Sequence, residues 1–594
     1  MVLEKKSLLL EIALAISLLY GIMLIVALLF PSPYLWGMRL IEFISFPSLV
    51  LIFIPFIAVF IPNIRSSLIL SVDSSIRFIQ RQTIIVRYAV VFFFIGILIA
   101  KFWFFRQSLF FLGDGYLLIG SLIHVNWFSD IHVFYKNEPL PGLIIVFLDK
   151  LIMRSYHESS AQLSIQIVSI LFGTGSLYFT LKILRQFTDD ASLVFFGLIC
   201  FFSAAITQIY FGYVENYSPV IFFLLVFLFN GIRFLKTKKY FIAVVISYTL
   251  LFFSHYSMLC LSPAFIVLTY SMMKEKRFIE LILSIILGII VIGVLITITY
   301  YPRIAFFERF FNSSNHFLPL STDDDISFSY SLLSVGHIVD IVNHYIFVFP
   351  FLIPFSVLLC IDILRLKLWK DQTVLFFILT GACAIVFGFL VKSDLGLSRD
   401  WDIFSLFIIP AILFIIIWIL RIGESSIQKQ VFLIIIMTTL AHTGTWIYVN
   451  SDHEKSFHYF RSLPNNQLWS KKANANAHSE LARFYEQSRN YEASLFEYQE
   501  YIRYDSKNLR IWENMGGTYF YIFKDSVNAQ KAYEKCVEGG RKSWIVFANL
   551  GEIYLSQNRL DSALNLLNRS LELNPNNDAA KNIKSLILAR TKQK

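Results

Sequence analysis

Charged residues are scarce in this chain, which excludes an ordinary soluble domain. Lys, Arg, Asp and Glu make up only 15% of its 594 residues, against 56% hydrophobic and 17% aromatic residues. Of five cysteines only Cys536 follows residue 450, so no disulfide framework is available in the C-terminal part. No nucleotide-phosphate loop, zinc signature or Ser-centred hydrolase elbow occurs in the sequence. ATP-driven transport is therefore not favoured.

Long apolar stretches predict a multi-pass, all-α membrane protein. A stretch of about 18 to 23 apolar residues, rising about 1.5 Å per residue in a helix, crosses roughly 30 Å of hydrocarbon. The first stretch follows "EKK" but is too long for a signal peptide and has no cleavage site, so we interpret it as a retained anchor. We predict about thirteen spans, of which the 14-residue segment 241–254 is the shortest: 8–30, 40–61, 88–105, 163–184, 191–209, 217–234, 241–254, 257–273, 279–300, 337–360, 373–391, 403–420 and 430–449.

Basic residues predict the orientation of these spans, because they favour the cytoplasmic ends of membrane helices. Lys5 and Lys6 place the N-terminus inside, and every later basic cluster then falls on the same side if segment 140–152 lies in the outer surface or re-enters it without crossing. The predicted external segments are 106–162, 210–216, 301–336, 392–402 and everything after residue 450. The net charge of +10 thus reflects inner-face residues and does not indicate nucleic-acid binding.

After residue 470 the hydrophobic runs end and a repeat appears. Tyr485, Tyr519 and Tyr554 are spaced by 34 and 35 residues, which is the period of a helix-turn-helix repeat. Each tyrosine follows a pair of one apolar and one small residue: Leu481-Ala482, Met515-Gly516 and Leu550-Gly551. This pattern resembles the tetratricopeptide repeat over about residues 473–580, with one extra residue in the interhelix turn of the second unit. We predict a short α-solenoid that binds an acceptor segment or, alternatively, mediates assembly only.

Acidic residues are concentrated in the predicted external loops. Carboxylates at a membrane boundary are costly unless water, partners or chemistry use them. Asp114 has the most suggestive surroundings, because in "FFLGDGYLL" two glycines flank it and allow a ligand to approach the backbone. Simple solvation is the better explanation for the triple aspartate in "STDDDISF". The acidic residues in question are Asp114, Glu138, Glu215, Asp323, Asp324, Asp325, Asp400 and Asp402.

The loop "FLGDGYLLIGSLIHVNWFSDIHVFYKNEPLPGLIIVFLDKLI" resembles the first external loop of the GT-C glycosyltransferases, which include protein O-mannosyltransferases and the lipid A aminoarabinose transferase. Asp114 takes the family's acidic position, and the turn at residues 138–141 precedes a helix along the membrane. Glu215 in "GYVENY" takes the acidic place of a later external loop. The sequence departs from the family in having Gly115 where a second acidic residue is frequent, and in two additional helices before the core.

This resemblance implies transfer of a sugar from a polyprenyl phosphate to an acceptor hydroxyl on the outer face. Asp114 would then act as the general base, with inversion at the anomeric carbon. Arg399 is our candidate for the carrier phosphate, since guanidinium binds phosphate through two parallel hydrogen bonds. Asp400 and Asp402 would orient Arg399, bind sugar hydroxyls or, together with Glu215 and Asp114, hold a divalent cation such as Mg²⁺ or Mn²⁺, and spacing alone does not choose among these roles. Further candidates for substrate binding are Arg106, Lys136, Glu138, Glu215, His255, Lys392, Asp400 and Asp402.

The predicted organisation is two additional N-terminal helices (1–87), a GT-C-like domain (88–449), a linker (450–472) and the repeat domain (473–594). We expect a bacterial cytoplasmic-membrane enzyme with its repeats on the periplasmic side. The expected partners are a polyprenyl-phosphate-linked sugar, a protein or glycan acceptor and membrane lipids. Two alternatives remain at this stage: a polyprenyl-linked glycan ligase or polymerase, and a non-enzymatic membrane anchor for a repeat scaffold.

Overall fold

The computed structural model describes residues 2–125, 138–153, 158–299, 317–320, 331–466 and 468–592. These residues form helices without any β-strand, apart from one isolated bridge between Phe317 and Val391. The chain divides into two units. The first, the membrane unit, runs to Ser462, and the second, the repeat unit, comprises Leu463–Lys594 together with the short segment Asp394–Gly396. The all-α fold predicted from the sequence is confirmed for the described residues.

The membrane unit contains nineteen α-helices within the described ranges. They are α1 (Val2–Leu29), α2 (Phe46–Ala58), α3 (Pro62–Arg81), α4 (Ile84–Phe104), α5 (Gly115–His124), α6 (Pro139–Phe147), α7 (Glu158–Leu184), α8 (Ala191–Ser203), α9 (Tyr217–Thr237), α10 (Phe241–Ser254), α11 (Ser262–Lys274), α12 (Phe278–Thr299), α13 (Val335–Val348), α14 (Leu352–Arg365), α15 (Gln372–Leu390), α16 (Trp401–Leu406), α17 (Ile409–Arg421), α18 (Ser425–Ser451) and α19 (His453–Arg461).

Nine helical segments among the described residues are long and apolar enough to cross a membrane, and each coincides with a predicted span. Two further predicted spans, 40–61 and 337–360, correspond to bent pairs. The 3₁₀ helix Pro33–Phe43 meets α2 at 107°, and α13 meets α14 at 90°. The last two predicted spans correspond to the shorter apolar helices α8 and α10. The described chain therefore has nine candidate spans, or eleven if each bent pair is one span.

Burial differs sharply between helices of similar composition. Helix α17 reads "IPAILFIIIWILR" and is buried on all sides, as an evenly apolar helix in a protein interior should be. Helix α4 is equally apolar, yet Ile85 is 77% exposed and Phe92 69% exposed. Such a contiguous apolar surface is unfavourable in water and suits a lipid environment. The membrane unit thus has a packed centre and an apolar periphery.

Helix α6 is the segment that the sequence predicts to lie in or re-enter the outer surface. Glu138 is its N-cap, and Pro139 and Pro141 fall in its first turn, where a missing N–H costs nothing. Leu140 is buried beside Phe253 of α10 and Leu295 of α12. Helix α6 continues into a π-helical turn, Leu148–Met153. The helical prediction is confirmed, and its packing fixes the position of Glu138.

The repeat unit forms three helix pairs and a seventh helix. The pairs are α20 (Lys471–Gln487) with α21 (Tyr491–Tyr504), α22 (Leu509–Gly517) with α23 (Ser526–Glu538), and α24 (Trp544–Ser556) with α25 (Leu560–Leu573), followed by α26 (Asp578–Lys592). In the second pair Tyr519 lies seven residues before the next helix, where Tyr485 and Tyr554 lie six before theirs. A π-helical turn, Thr518–Phe523, accommodates this extra residue.

The predicted linker 450–472 is more ordered than its composition indicates. Residues 450–451 complete α18, and "HEKSFHYFR" forms α19, capped by the Asp452 carboxylate, which accepts from the Lys455 N–H at 2.9 Å. The unit boundary falls at Ser462, near the middle of the predicted linker.

Candidate functional site

Three chain segments meet around Gly113 in the membrane unit. Its N–H donates to the Arg399 carbonyl at 3.2 Å, which joins the segment before α5 to the segment before α16. Gly113 has φ +72°, a left-handed conformation that glycine adopts without strain. A Cβ added here would clash with Glu215 Oε1 and lie 3.0 Å from Asp402 Oδ2. Two carboxylates therefore converge on the position where Gly113 has no side chain.

Asp114 adjoins this point and is the exposed member of the group. It is the N-cap residue of α5, and its backbone N–H donates a hydrogen bond to Glu215 Oε1. Glu215 is only 5% exposed and Asp402 is fully buried, whereas Asp114 is exposed. Asp402 Oδ1 accepts from the Ile403 N–H at 2.8 Å. The structure thus brings together three predicted site residues that are about 100 and 290 positions apart in sequence.

Burial and like charges act together on Glu215. Removal from water raises the pKa of its carboxyl well above the ordinary value of 4.5, and the nearby charges of Asp402 and Asp114 raise it further. The hydrogen bond from the Asp114 N–H acts in the opposite direction and is outweighed. Burial and the neighbouring charges therefore make Glu215 harder to ionise than an exposed carboxyl, whereas the exposed Asp114 is the group that a solvent-borne substrate can reach.

Arg399 is buried beneath the site. Its Nε donates to the Phe111 carbonyl at 3.2 Å, and its guanidinium lies 5.2 Å from the ring centroid of Phe460. Phe460 stacks on Phe111 with centroids 4.5 Å apart. Arg399 therefore stabilises the loop before α5 by its hydrogen bond to the Phe111 carbonyl. This contact was not predicted from the sequence.

Glu138 and His255 form a pair at the edge of the group. His255 Nε2 lies 3.0 Å from Glu138 Oε1. The Ser257 N–H donates to His255 Nδ1 at 3.1 Å, which leaves the ring proton on Nε2. The Glu138 charge acts on Glu215, so this pair belongs to the same electrostatic neighbourhood. The two residues were predicted separately, and the structure pairs them.

The remaining predicted residues lie at the cluster, away from it, or outside the described residues. Asp400 belongs to the cluster, because its charge acts on Asp402 and its Oδ2 accepts from the Ser393 hydroxyl at 2.6 Å. Lys392 immediately precedes Ser393 and is half-buried. Arg106 is directed elsewhere, since its guanidinium lies 4.5 Å from the Trp103 ring and donates to the Trp103 carbonyl. Lys136 and Asp323–Asp325 lie outside the described residues.

Two aromatic residues that the sequence did not single out hold the segments together. Tyr213 is fully buried, and its hydroxyl accepts from Trp401 Nε1 at 3.1 Å and donates to the Leu112 carbonyl at 3.4 Å. The tyrosine thus joins the loops that carry Asp114, Glu215 and Asp402. Its pKa is raised well above 10.0 by burial and by the charges of Asp402 and Glu215. Both aromatics lie within two residues of a carboxylate predicted from the sequence, and this proximity is the sequence signal by which they could have been found.

No group of three or more His, Cys, Asp and Glu side chains within the described ranges is arranged to hold a metal ion. Two open cavities of about 680 Å³ and 660 Å³ lie away from the carboxylates. One is beside Lys276–Ser284 of the membrane unit and the other is in the repeat unit near Tyr554. Neither cavity includes a predicted site residue. We therefore define the candidate site by the loops that meet around Gly113 and not by a cavity.

Comparison with known families identifies one part of the chain. Residues 544–577 match the family model of the tetratricopeptide repeat. The match covers α24 and α25, the third helix pair, and agrees with the repeat predicted from the tyrosine spacing. No curated protein matches the chain.

Proposed function

We propose that this chain is a membrane glycosyltransferase of the GT-C type that transfers a sugar from a polyprenyl phosphate to an acceptor hydroxyl. The observation that carries the proposal is the exposed Asp114 beside the buried carboxylates of Glu215 and Asp402. A membrane anchor gives no reason to bury like charges together, because their desolvation is costly. The resemblance of the loop at residues 111–152 to GT-C enzymes supports the same reaction class.

In the proposed reaction the acceptor oxygen attacks the anomeric carbon while the bond from that carbon to the phosphate oxygen breaks. The leaving phosphate takes the electron pair, and the acceptor proton passes to the Asp114 carboxylate. Asp114 suits the role of base because it is accessible, whereas Glu215 is buried and its pKa is raised by that burial. Attack from the face opposite the phosphate inverts the anomeric centre.

The leaving phosphate requires cationic groups to stabilise its developing charge. Lys392 and Arg399 are both carried by the segment that leads into α16, next to Asp400 and Asp402. Arg399 also supports the Phe111 carbonyl, so we assign it a double role, in positioning the loop and in holding phosphate. This arrangement needs no general acid for the leaving group.

The decisive experiment replaces Asp114 with Asn in the purified full-length protein. The amide preserves the shape of the side chain but accepts no proton, so transfer from a polyprenyl-phosphate sugar to a defined acceptor should fall about 10²- to 10⁴-fold. Asp189→Asn changes an exposed aspartate outside the cluster and serves as the matched control. Unchanged transfer by Asp114→Asn, with a normal melting temperature, would show that Asp114 is not the base.

We also propose that the site and the repeats lie outside the cytoplasm. The support is the distribution of basic residues, which places clusters such as "RFLKTKKY" at 233–240 on the opposite side. Protease added to sealed right-side-out vesicles should cleave the repeat unit and leave the 233–240 loop intact. Cleavage at 233–240 with protected repeats would mean that the orientation is inverted.

A further inference from the structure

A short segment of the site loop belongs to the repeat unit. Asp394–Gly396 are part of that unit, although Ser393 and Leu397 on either side are part of the membrane unit. The same loop continues to Arg399, Asp400 and Asp402 within a few residues. Contacts made by residues 394–396 therefore influence where Arg399, Asp400 and Asp402 lie.

Gly396 is in close contact with the indole of Trp469. A Cβ at Gly396 would lie 2.6 Å from Trp469 Cε2 and 2.8 Å from its Nε1, distances that no real side chain tolerates. Gly396 also has φ +89°, which disfavours any other residue. Trp469 is only 3% exposed. The backbone at Gly396 thus packs directly against a buried tryptophan.

Trp469 is itself fixed by a small hydrogen-bonded turn at the start of the repeats. Its N–H donates to the Asn466 carbonyl at 3.1 Å. Asn466 and Asn474 bond reciprocally, since the Asn466 N–H donates to Asn474 Oδ1 at 3.0 Å and Asn474 Nδ2 donates to the Asn466 carbonyl at 3.0 Å. These hydrogen bonds hold the turn that carries Trp469, immediately before the N-cap Ser470 of α20.

A second, weaker contact lies beside the first. Lys472 Nζ is 3.0 Å from Asp394 Oδ2, but both side chains are about half exposed, at 53% and 54%. Exposed ion pairs contribute little because water screens them. The packing of Trp469 on Gly396 is accordingly the main contact, and the ion pair between Lys472 and Asp394 is secondary.

We infer that Trp469 is a positioning residue for the site, holding the loop that carries Arg399, Asp400 and Asp402 through its contact with Gly396. On the far side of Gly396 the loop is tied to the other site segments by the bond from the Gly113 N–H to the Arg399 carbonyl. On the near side Ser393 donates to Asp400. The role in catalysis rests on the proposed function, whereas the restraint of the loop does not.

The test is hydrogen–deuterium exchange in the full-length protein in detergent, read in a peptide covering residues 397–403. Trp469→Ala should speed exchange there about tenfold, because loss of a packing contact lowers the free energy of local opening. Trp469→Phe keeps an aromatic face against Gly396 and should restore most of the protection. Trp544→Ala removes a partly exposed indole from the same unit and is the matched control.

Exchange at 397–403 that is equal in Trp469→Ala and the unaltered protein overturns the inference, whatever the protein catalyses. Faster exchange with a lower kcat in the transfer assay, and an unchanged KM for a short acceptor, supports it in full. If Asp114→Asn keeps full activity while Trp469→Ala still speeds exchange, the proposed base is wrong and the restraint of the loop stands. Failure of the proposed base and failure of the loop restraint are therefore distinguished by different measurements.

Discussion

Glu215 in the membrane unit and Glu497 in the repeat unit are both buried, and their surroundings are opposite. Glu215 in the membrane unit is 5% exposed and lies near the carboxylates of Asp402 and Asp114. Glu497 in the repeat unit is 4% exposed and faces His478, whose Nδ1 lies 2.7 Å from Glu497 Oε2. One carboxylate is buried among like charges and the other beside a group that complements it.

We propose that this difference separates a functional arrangement from a structural one. His478 is satisfied on both sides, since its Nε2 is 3.3 Å from Asn465 Oδ1 and its ring stacks on Tyr504. Such a network fixes the packing of α20 against the turn before it. In the acidic group around Gly113 the carboxylates accept hydrogen bonds such as those from the Asp114 and Ile403 N–H groups, but each buried carboxylate also raises the electrostatic cost of the next. A cluster of this kind is expected where chemistry uses the charges.

Arg399→Ala tests whether the membrane unit's charged groups bind ligand. Loss of a charge-assisted contact to phosphate should weaken binding of a polyprenyl phosphate about 10- to 100-fold, measured by titration in detergent. Arg106→Ala is the matched control, because the structure directs Arg106 to Trp103 and away from the cluster. Equal losses in the two variants would remove Arg399 from the phosphate site and leave Lys392 as the candidate.

Glu497→Gln tests the structural side of the comparison. The amide keeps the shape but removes the charge that His478 Nδ1 faces, so the repeat unit should lose about 2 kcal/mol of stability. Thermal unfolding followed by cleavage within residues 463–592 measures the change. Glu492→Gln in the first turn of α21 is a suitable control, since Glu492 is more exposed. An unchanged melting temperature in Glu497→Gln would mean that the pair contributes nothing to the fold.

The sequence predicts the helices better than the arrangement of the site. Apolar runs and a 34-residue period depend on local patterns, so the long helices, α6 and the repeats could be located. The carboxylates were selected because they are rare at a membrane boundary, and the structure places Asp114, Glu215 and Asp402 together. The contacts of Tyr213 with Trp401 and of Trp469 with Gly396 join residues far apart in sequence, and no spacing rule reveals them. The bends at 107° and 90° likewise depend on tertiary packing.

Glu215→Gln should have the smallest effect and the opposite sign to Glu497→Gln. Because the folded-state pKa of Glu215 is raised above 4.5, the unfolded chain releases its proton first as pH rises, and the native protein loses stability from about pH 4.5 upward through the raised pKa. Glutamine has no proton to release and still accepts from the Asp114 N–H. The variant should therefore be more stable than the unaltered protein at pH 8, with the gain shrinking as pH falls and vanishing near pH 4, as read from melting temperatures across that range. A loss of stability at pH 8 would show that Glu215 is stabilised as the anion, and the cluster would then resemble the complemented pair in the repeats, whereas a gain that is constant with pH would show that folding does not shift the pKa of Glu215.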